Sequence, residues 1–319
     1  MTDLITLEEI EAARAVLPSQ VRRTPILPFS RSSEEVSREE LFLKLENHQP
    51  MGAYKVRASF YLLMKMSPEE RARGVVLGSS GNFAQGFAYA GRELEVKVAV
   101  VMMKQVSPYK VEAVHGFGGE VVFCENDYLA RQPKVEEISR ERCMVAVDTE
   151  GREAMIGHSS LGLEIIEDMP DVDTVVTPVA AGGLLGSVAS AIKLKNSRVR
   201  VIGAQPEGAP AMSRSFKAGE PVTVEHWQTM CDALSSTRPG DVPFQHVKEF
   251  VDDIVLVSEE EIADAFRALL IRGKILAEPA GAVPVAAFLA GKIHSAGKIV
   301  AVISGGNLTP ELASNLMKV

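Results

Sequence analysis

The stretch Thr174-Val175-Val176-Thr177-Pro178, continued by Val179-Ala180-Ala181-Gly182-Gly183-Leu184-Leu185-Gly186, decides the fold class. Its β-branched run reads as a strand, its small residues and glycines as a bend, and the pattern over 184–196 as a helix. Strand, glycine bend and helix make the repeating unit of a parallel sheet whose faces are covered by helices. The same alternation extends in both directions. Strands are predicted over 75–79, 96–102, 120–123, 199–204, 253–257 and 298–303, and helices over 82–93, 107–116, 158–168, 259–273 and 309–318. The fold class is therefore α/β with mostly parallel sheets, and ligand sites belong just beyond the C-terminal ends of the strands. The segment 205–250, with Pro206, Pro210, Pro221, Pro239 and Pro243, reads as loop-rich.

The 319 residues are 46% hydrophobic and 24% charged, which allows a large core without a disulfide or metal staple. At roughly 150 residues per domain, the length suits about two domains. Acidic residues number 42 against 34 basic ones, and the net charge of −8 argues against duplex nucleic acid or an anionic membrane as the main partner. Cys124, Cys143 and Cys231 are odd in number, far apart and without CxxC spacing, and read as buried, reduced thiols. The opening MTDLITLEEIEAARAVLPSQ is an acidic amphipathic helix pattern without the basic and apolar regions of a signal peptide. No apolar run reaches the ~20 residues of a membrane span. A soluble, cytoplasmic protein is expected.

Three strand ends carry related punctuation: Ser79-Ser80-Gly81-Asn82, the 179–186 loop, and Ser304-Gly305-Gly306-Asn307. A glycine bend entering a helix exposes unpaired backbone N–H groups at the positive end of the helix dipole, an arrangement that binds phosphate. The 179–186 loop lacks both GxxxxGK[ST] and GxGxxG, so it is neither a P-loop nor a dinucleotide fingerprint. By itself it is equally a tight turn. A polar loop at a helix N-terminus, such as Ser79–Asn82, suits a substrate carboxylate, although such residues also make ordinary turns and caps. Upstream, Lys55 follows Met51-Gly52-Ala53-Tyr54. An amine in small, apolar company has its pKa lowered by desolvation and becomes available for Schiff-base chemistry, whereas a solvated helix-start lysine does nothing of the kind.

In this order, the lysine motif, the Ser-Ser-Gly-Asn-X-Ala-Gln loop, the glycine loop and the Ser-Gly-Gly-Asn strand end resemble the fold type II pyridoxal-phosphate enzymes. These form the tryptophan synthase β superfamily, and the likeness is greatest to its serine/threonine dehydratase and serine racemase branch. The resemblance runs from Arg23-Thr24-Pro25 and Lys44-Leu45-Glu46-Asn47 through Val201-Ile202-Gly203-Ala204-Gln205-Pro206 and Glu278-Pro279-Ala280-Gly281 to Ser304-Gly305-Gly306-Asn307. It implies that Lys55 carries pyridoxal 5′-phosphate as a Schiff base and that Asn82 bonds the pyridoxal 3′-oxygen. The backbone of Ala180, Ala181, Gly182, Gly183 and Leu184 would cradle the phosphate. Ser304 would face the pyridine nitrogen; a hydroxyl there does not hold that nitrogen protonated and suits β-elimination better than transamination. Ser79, Ser80, Gly81, Asn82 and Gln85 would clamp the substrate α-carboxylate. The implied reaction is removal of the α-proton by Lys55, loss of the β-hydroxyl, and hydrolysis to a 2-oxo acid and ammonia.

The chain departs from the family pattern at several points. Ala53-Tyr54-Lys55 stands for the usual Ser-Phe-Lys, Ala180 and Ala181 for two of four glycines, and Phe83 for the histidine after Asn82. Where metal-dependent relatives carry a Glu, a carbonyl and an Asp, this chain has Gln205, Ala209 and Ala211, so no divalent metal is expected. Before the 158–168 helix, Arg152 and Gly157-His158-Ser159-Ser160 replace the usual residues. Arg152 and His158 are thus candidates for contacting the substrate side chain, Arg152 through a second anion; a solvated loop arginine and a helix-start histidine are the plain alternative. A substituted substrate such as 3-hydroxyaspartate or phenylserine stays open. Ser80 stands where dehydratases often have Ala and racemases a serine base, so it reads equally as a racemase base or as a cap and carboxylate ligand.

The expected organisation is a large cofactor-binding domain, 1–49 plus 148–319, and a smaller domain, 50–147, with the site in the cleft between them. The sequence ends at Val319, which predicts no appended regulatory domain. A homodimer is expected from family likeness and the prevalence of two-fold assemblies. The expected function is a pyridoxal-phosphate-dependent ammonia-lyase, with an amino-acid racemase as its chemical rival. A dinucleotide-dependent oxidoreductase and a non-catalytic cofactor-binding protein are the rivals of other classes.

Overall fold

A computed structural model describes residues 4–29, 40–127, 130–295 and 297–318. Two sheets organise these residues. The larger has the order β1-β2-β10-β7-β8-β9, with β1 Ile26–Pro28, β2 Glu40–Leu45, β7 Val172–Pro178, β8 Arg200–Pro206, β9 Asp253–Val257 and β10 Lys298–Ile303. The smaller has the order β5-β4-β3-β6, with β3 Val75–Gly78, β4 Val98–Met103, β5 Glu120–Cys124 and β6 Val145–Ala146. All pairings are parallel except β1 with β2.

Both sheets are buried on both faces, as alternation along their strands requires. In the larger sheet Val176, Ile202, Ala204, Ala301 and Ile303 join one core cluster, while Val175, Val201, Val300 and Val302 join another. In the smaller sheet Val75, Leu77, Val98, Val100 and Met102 face one way and Val76, Ala99 and Val101 the other. The smaller sheet draws all its strands from within 75–146. The helix Val56–Lys65 that follows Lys55 packs against both Asn82–Glu93 and Arg152–Asp168. Gly157 makes the second approach possible, since a Cβ there would lie 2.7 Å from the Ala58 Cα.

The strands and helices read from periodicity are present, but the sequence reading passed over others. Strand β2 is Glu-Leu-Phe-Leu-Lys-Leu, and its Lys44 is fully buried because it pairs with Glu164 at 2.7 Å. The helix Pro279–Leu289 is apolar all round and contains Pro284, so it has no amphipathic signature. The 205–250 segment is less loop-like than expected and holds the helices Ala211–Ala218 and Asp241–Phe250. Cys124 and Cys231 are buried, but Cys143 is exposed at a helix end with φ 55°, which corrects the expectation of three buried thiols. Among the described residues no helix is long and apolar enough to cross a membrane.

A buried ion network anchors the lysine-bearing segment. The Arg57 guanidinium, two residues past Lys55, donates to both oxygens of Glu46 (2.7 and 2.8 Å) and of Glu164 (2.7 and 2.8 Å), and to Ser160 Oγ at 3.0 Å. Lys44 completes it through Glu164 and the Thr24 carbonyl. Burial pushes the Glu46 carboxyl up, but Arg57 and then Lys44 outweigh burial and hold it below the usual carboxylate range.

Candidate active site

Strands β7 and β10 are parallel neighbours, so the 180–184 loop and Ser304 leave the sheet side by side from C-terminal ends. The lysine segment is tied to the same edge. Ala53 bridges Gly305, the Tyr54 N–H donates to the Ser304 carbonyl at 3.0 Å, and the Gly306 N–H donates to the Gly52 carbonyl at 2.9 Å. Gly52 has φ 82° and a Cβ there would fall 2.4 Å from Asn307 Oδ1, so this junction admits only glycine. Helix Asn82–Glu93 approaches from the other sheet: a Cβ on Gly86 would lie 2.7 Å from Ser59 Oγ and 3.5 Å from the Lys55 carbonyl. Lys55, Asn82 and Ser304 are thereby brought together from distant parts of the chain.

Lys55 is half-buried at the start of its helix, with Nζ 4.0 Å from the Phe83 ring centroid and 4.8 Å from that of Tyr54. Burial draws its amine down to about 8, against the pull of Glu150 and Glu278. His158 is buried against the same two rings, 4.7 Å from Tyr54 and 5.5 Å from Phe83 between centroids. Burial, then the Lys55 and Arg57 charges, hold its imidazole well below the usual range, and its Nδ1 has no hydrogen-bond partner. Tyr54, Phe83 and His158, three separate departures from the family motifs, thus form one aromatic wall beside the lysine amine.

The loop leading into Asn82–Glu93 is open. Gly81 is the N-cap with no side-chain cap bond, and a Cβ there would meet nothing within 4 Å. Ser79 Oγ accepts the Gly81 N–H at 3.3 Å, whereas Ser80 Oγ is buried without a partner, so Ser80 does not serve as the cap. Gln85 is buried on the first turn of the helix. The 180–184 loop is open in the same way. Gly182 caps Gly183–Lys195 with φ 107° and no side-chain cap bond, and a Cβ on Gly183 would again meet nothing. Two helix N-termini with uncapped N–H groups, an orphaned buried hydroxyl and a low-pKa amine are the donor set that a phosphorylated aldehyde cofactor and an amino-acid carboxylate require. The residues fit pyridoxal 5′-phosphate.

Arg152 is not brought to this cluster. Its guanidinium donates to both oxygens of Glu9 (2.8 and 2.7 Å) and to the Leu4 carbonyl at 3.2 Å, which fastens the helix Leu7–Val16; this corrects its assignment to the substrate. Around the three positions read as unsuited to a divalent metal, Gln205 Oε1 accepts the Ser213 N–H at 2.9 Å, Gln205 Nε2 is buried without a partner, and Ala209 and Ala211 are fully buried. Among the described residues no three His, Cys, Asp or Glu side chains gather as a metal-ligand group.

Two site residues escaped the sequence reading. Glu278 accepts a hydrogen bond from Asn82 Nδ2 at 2.8 Å, and Asn307 Nδ2 donates to Asn82 Oδ1 at 2.9 Å. Burial pushes the Glu278 carboxyl up to about 7, with Asn82 and Lys110 opposing. Both residues lie in motifs quoted for the resemblance, but nothing in the sequence pairs either with Asn82.

The family model described as pyridoxal-phosphate dependent enzyme matches residues 17–305. The L-threonine ammonia-lyase of Thermotoga maritima is 40% identical over 316 residues, covering 98% of this chain and 78% of that protein. The catabolic L-threonine dehydratase TdcB of Staphylococcus aureus is 34% identical over 310 residues, 96% of this chain and 90% of the relative. Among solved structures, maize serine racemase superposes with a TM-score of 0.92 at 29% identity, covering 98% of this chain and 96% of its own. With that match the dinucleotide-dependent alternative falls away, and the chain belongs to the pyridoxal-phosphate dependent enzymes, with pyridoxal 5′-phosphate as its cofactor.

Proposed function

We propose that the protein is a dehydratase-type ammonia-lyase that converts a 3-hydroxy amino acid, threonine or serine first, to a 2-oxo acid and ammonia. The observation that carries this reading is the convergence of Lys55, Asn82 and Ser304 beside two helix N-termini without side-chain caps, with burial drawing the Lys55 amine down to about 8. Bound pyridoxal phosphate supplies the electron sink that acidifies the substrate α-carbon. Gly183 and the uncapped turn after it bind the phosphate, together with the backbone of Ala180, Ala181, Gly182 and Leu184. Ser304 meets the ring nitrogen as a neutral hydroxyl. Ser79, Ser80, Gly81, Gln85 and the N-terminus of Asn82–Glu93 hold the substrate carboxylate, fixing the α-proton toward Lys55. His158, neutral and buried, borders the site with Tyr54 and Phe83. Since Arg152 is bound to Glu9, no cation from that position meets a second carboxylate, and uncharged side chains are favoured over 3-hydroxyaspartate. The relatives named for threonine support the same choice. A homodimer without nucleic-acid or membrane partners completes the proposal.

A second reading, amino-acid racemase, is favoured by one observation. The Ser80 hydroxyl is buried and unpartnered, at the position where the resemblance implies a serine base in racemases. Incubation of the purified, pyridoxal-phosphate-loaded protein with threonine, serine, 3-hydroxyaspartate and phenylserine separates the two. The dehydratase reading expects 2-oxo acid and ammonia in equal amounts, both lost in Lys55→Ala. Inversion without oxo acid selects the racemase. Bound cofactor with neither product refutes both.

A further inference from the structure

Asn82 is gripped at both ends of its amide by residues from other parts of the chain. Its Nδ2 donates to Glu278 Oε1 at 2.8 Å, while its Oδ1 accepts from Asn307 Nδ2 at 2.9 Å; that same nitrogen also donates to the Met51 carbonyl at 2.8 Å. A carboxylate accepts and an amide nitrogen donates, so only one of the two amide orientations satisfies both neighbours. Glu278 takes one of the two Asn82 N–H groups and leaves the other.

Glu278 is itself tightly set. It caps the helix Pro279–Leu289 and its backbone N–H donates to the Gly305 carbonyl at 2.9 Å. A Cβ on Gly305 would lie 2.3 Å from Glu278 Oε1, so the carboxylate occupies the room a side chain would need. Gly305 also pairs with Ala53, two residues before Lys55. The charged and titratable groups around the carboxyl are Lys55, Lys110 and Asp232, with Tyr54 and Cys231 on their own segments. Burying a carboxyl is costly, and its one side-chain hydrogen bond among the described residues comes from Asn82.

We propose that Glu278 is a positioning residue for the cofactor site: by accepting one N–H of Asn82 while Asn307 holds the carbonyl, it presents the remaining N–H to the phenolic oxygen of pyridoxal phosphate. The inference rests on the cofactor reading above and on Asn82 as the cofactor's partner.

The test measures the dissociation constant of pyridoxal phosphate for wild type, Glu278→Gln, Glu278→Leu, Asn82→Ala and the Glu278→Leu/Asn82→Ala pair. Glu278→Gln keeps an acceptor, so its affinity stays within about threefold. Glu278→Leu weakens binding about tenfold, and adds nothing once Asn82 is already alanine. Asn307→Ala, which removes the opposite grip, repeats that dependence on Asn82 and serves if Glu278→Leu does not fold. Equal weakening with and without Asn82 overturns the inference. A wild-type protein that takes up no pyridoxal phosphate overturns the cofactor reading instead.

Discussion

Replacing Arg57 by alanine tests the buried network that anchors the lysine segment. The side chain is fully buried and makes four contacts of 2.7–2.8 Å to Glu46 and Glu164, which are 0% and 8% exposed at their side chains. Removing it leaves two buried carboxylates with Lys44 as their remaining buried cation. Such an orphaned charge costs roughly 3–5 kcal/mol, a large share of the ~5–15 kcal/mol that holds a domain folded. Urea unfolding followed by far-ultraviolet circular dichroism reads the loss at pH 7. The pH dependence supplies a second, sharper expectation. In wild type the Glu46 pKa is held down, so its contribution is present above the unfolded carboxyl pKa and is lost as pH falls through the folded value. Without Arg57, burial is left to raise the pKa, and protonation then relieves the variant. The deficit of Arg57→Ala therefore shrinks between pH 7 and about pH 5. A loss below about 1 kcal/mol, or a deficit that grows on acidification, refutes the reasoning.

Four further outcomes follow from the same geometry. Gly183→Val, whose Cβ enters open space, leaves the melting temperature within a few degrees but weakens pyridoxal phosphate binding more than about tenfold. Gly182→Ala, at φ 107° and 2.5 Å from Met212 Cε, costs about 1–3 kcal/mol of stability instead, and equal behaviour of the two variants contradicts the cradle assignment. His158→Phe removes an unpartnered buried nitrogen, so the thermal midpoint holds or rises; a drop of several degrees would mean that the imidazole makes a structural bond. Glu278 has a folded pKa raised from 4.5 to about 7, so its ionisation opposes folding and stability declines as pH rises through that window. In the cofactor-free protein Glu278→Gln removes that decline, on the order of 3 kcal/mol, and a pH profile unchanged by the substitution excludes it.

Much of this protein is written locally. The valine-rich runs at 75–78, 98–103, 172–178, 200–206 and 298–303 are strands because both faces of each sheet are buried, and period-two burial needs apolar residues at nearly every position. The glycines at 182 and 183 are local too: one supplies a positive φ and the other an open approach. Lys55, the Ser79–Asn82 loop, the 180–184 loop and Ser304 are therefore legible as motifs. Their meeting at one edge rests on contacts between segments as far apart as Ala53 and Gly305, for which no residue pattern codes. The fates of individual polar side chains are equally non-local. Arg152 looked like a substrate ligand until the first helix placed Glu9 against it. Lys44 is buried in β2 because Glu164, far along the chain, pairs with it. Glu278 gained its raised pKa and its hold on Asn82 only from the surrounding fold. The sequence by itself determined the α/β class, because backbone conformation is a property of short segments, and its order of motifs, through the family it resembles, implied the cofactor. Tertiary structure alone decided which charges are paired, which amide is oriented and which histidine stays neutral, because desolvation and Coulomb energy depend on distance in space rather than along the chain.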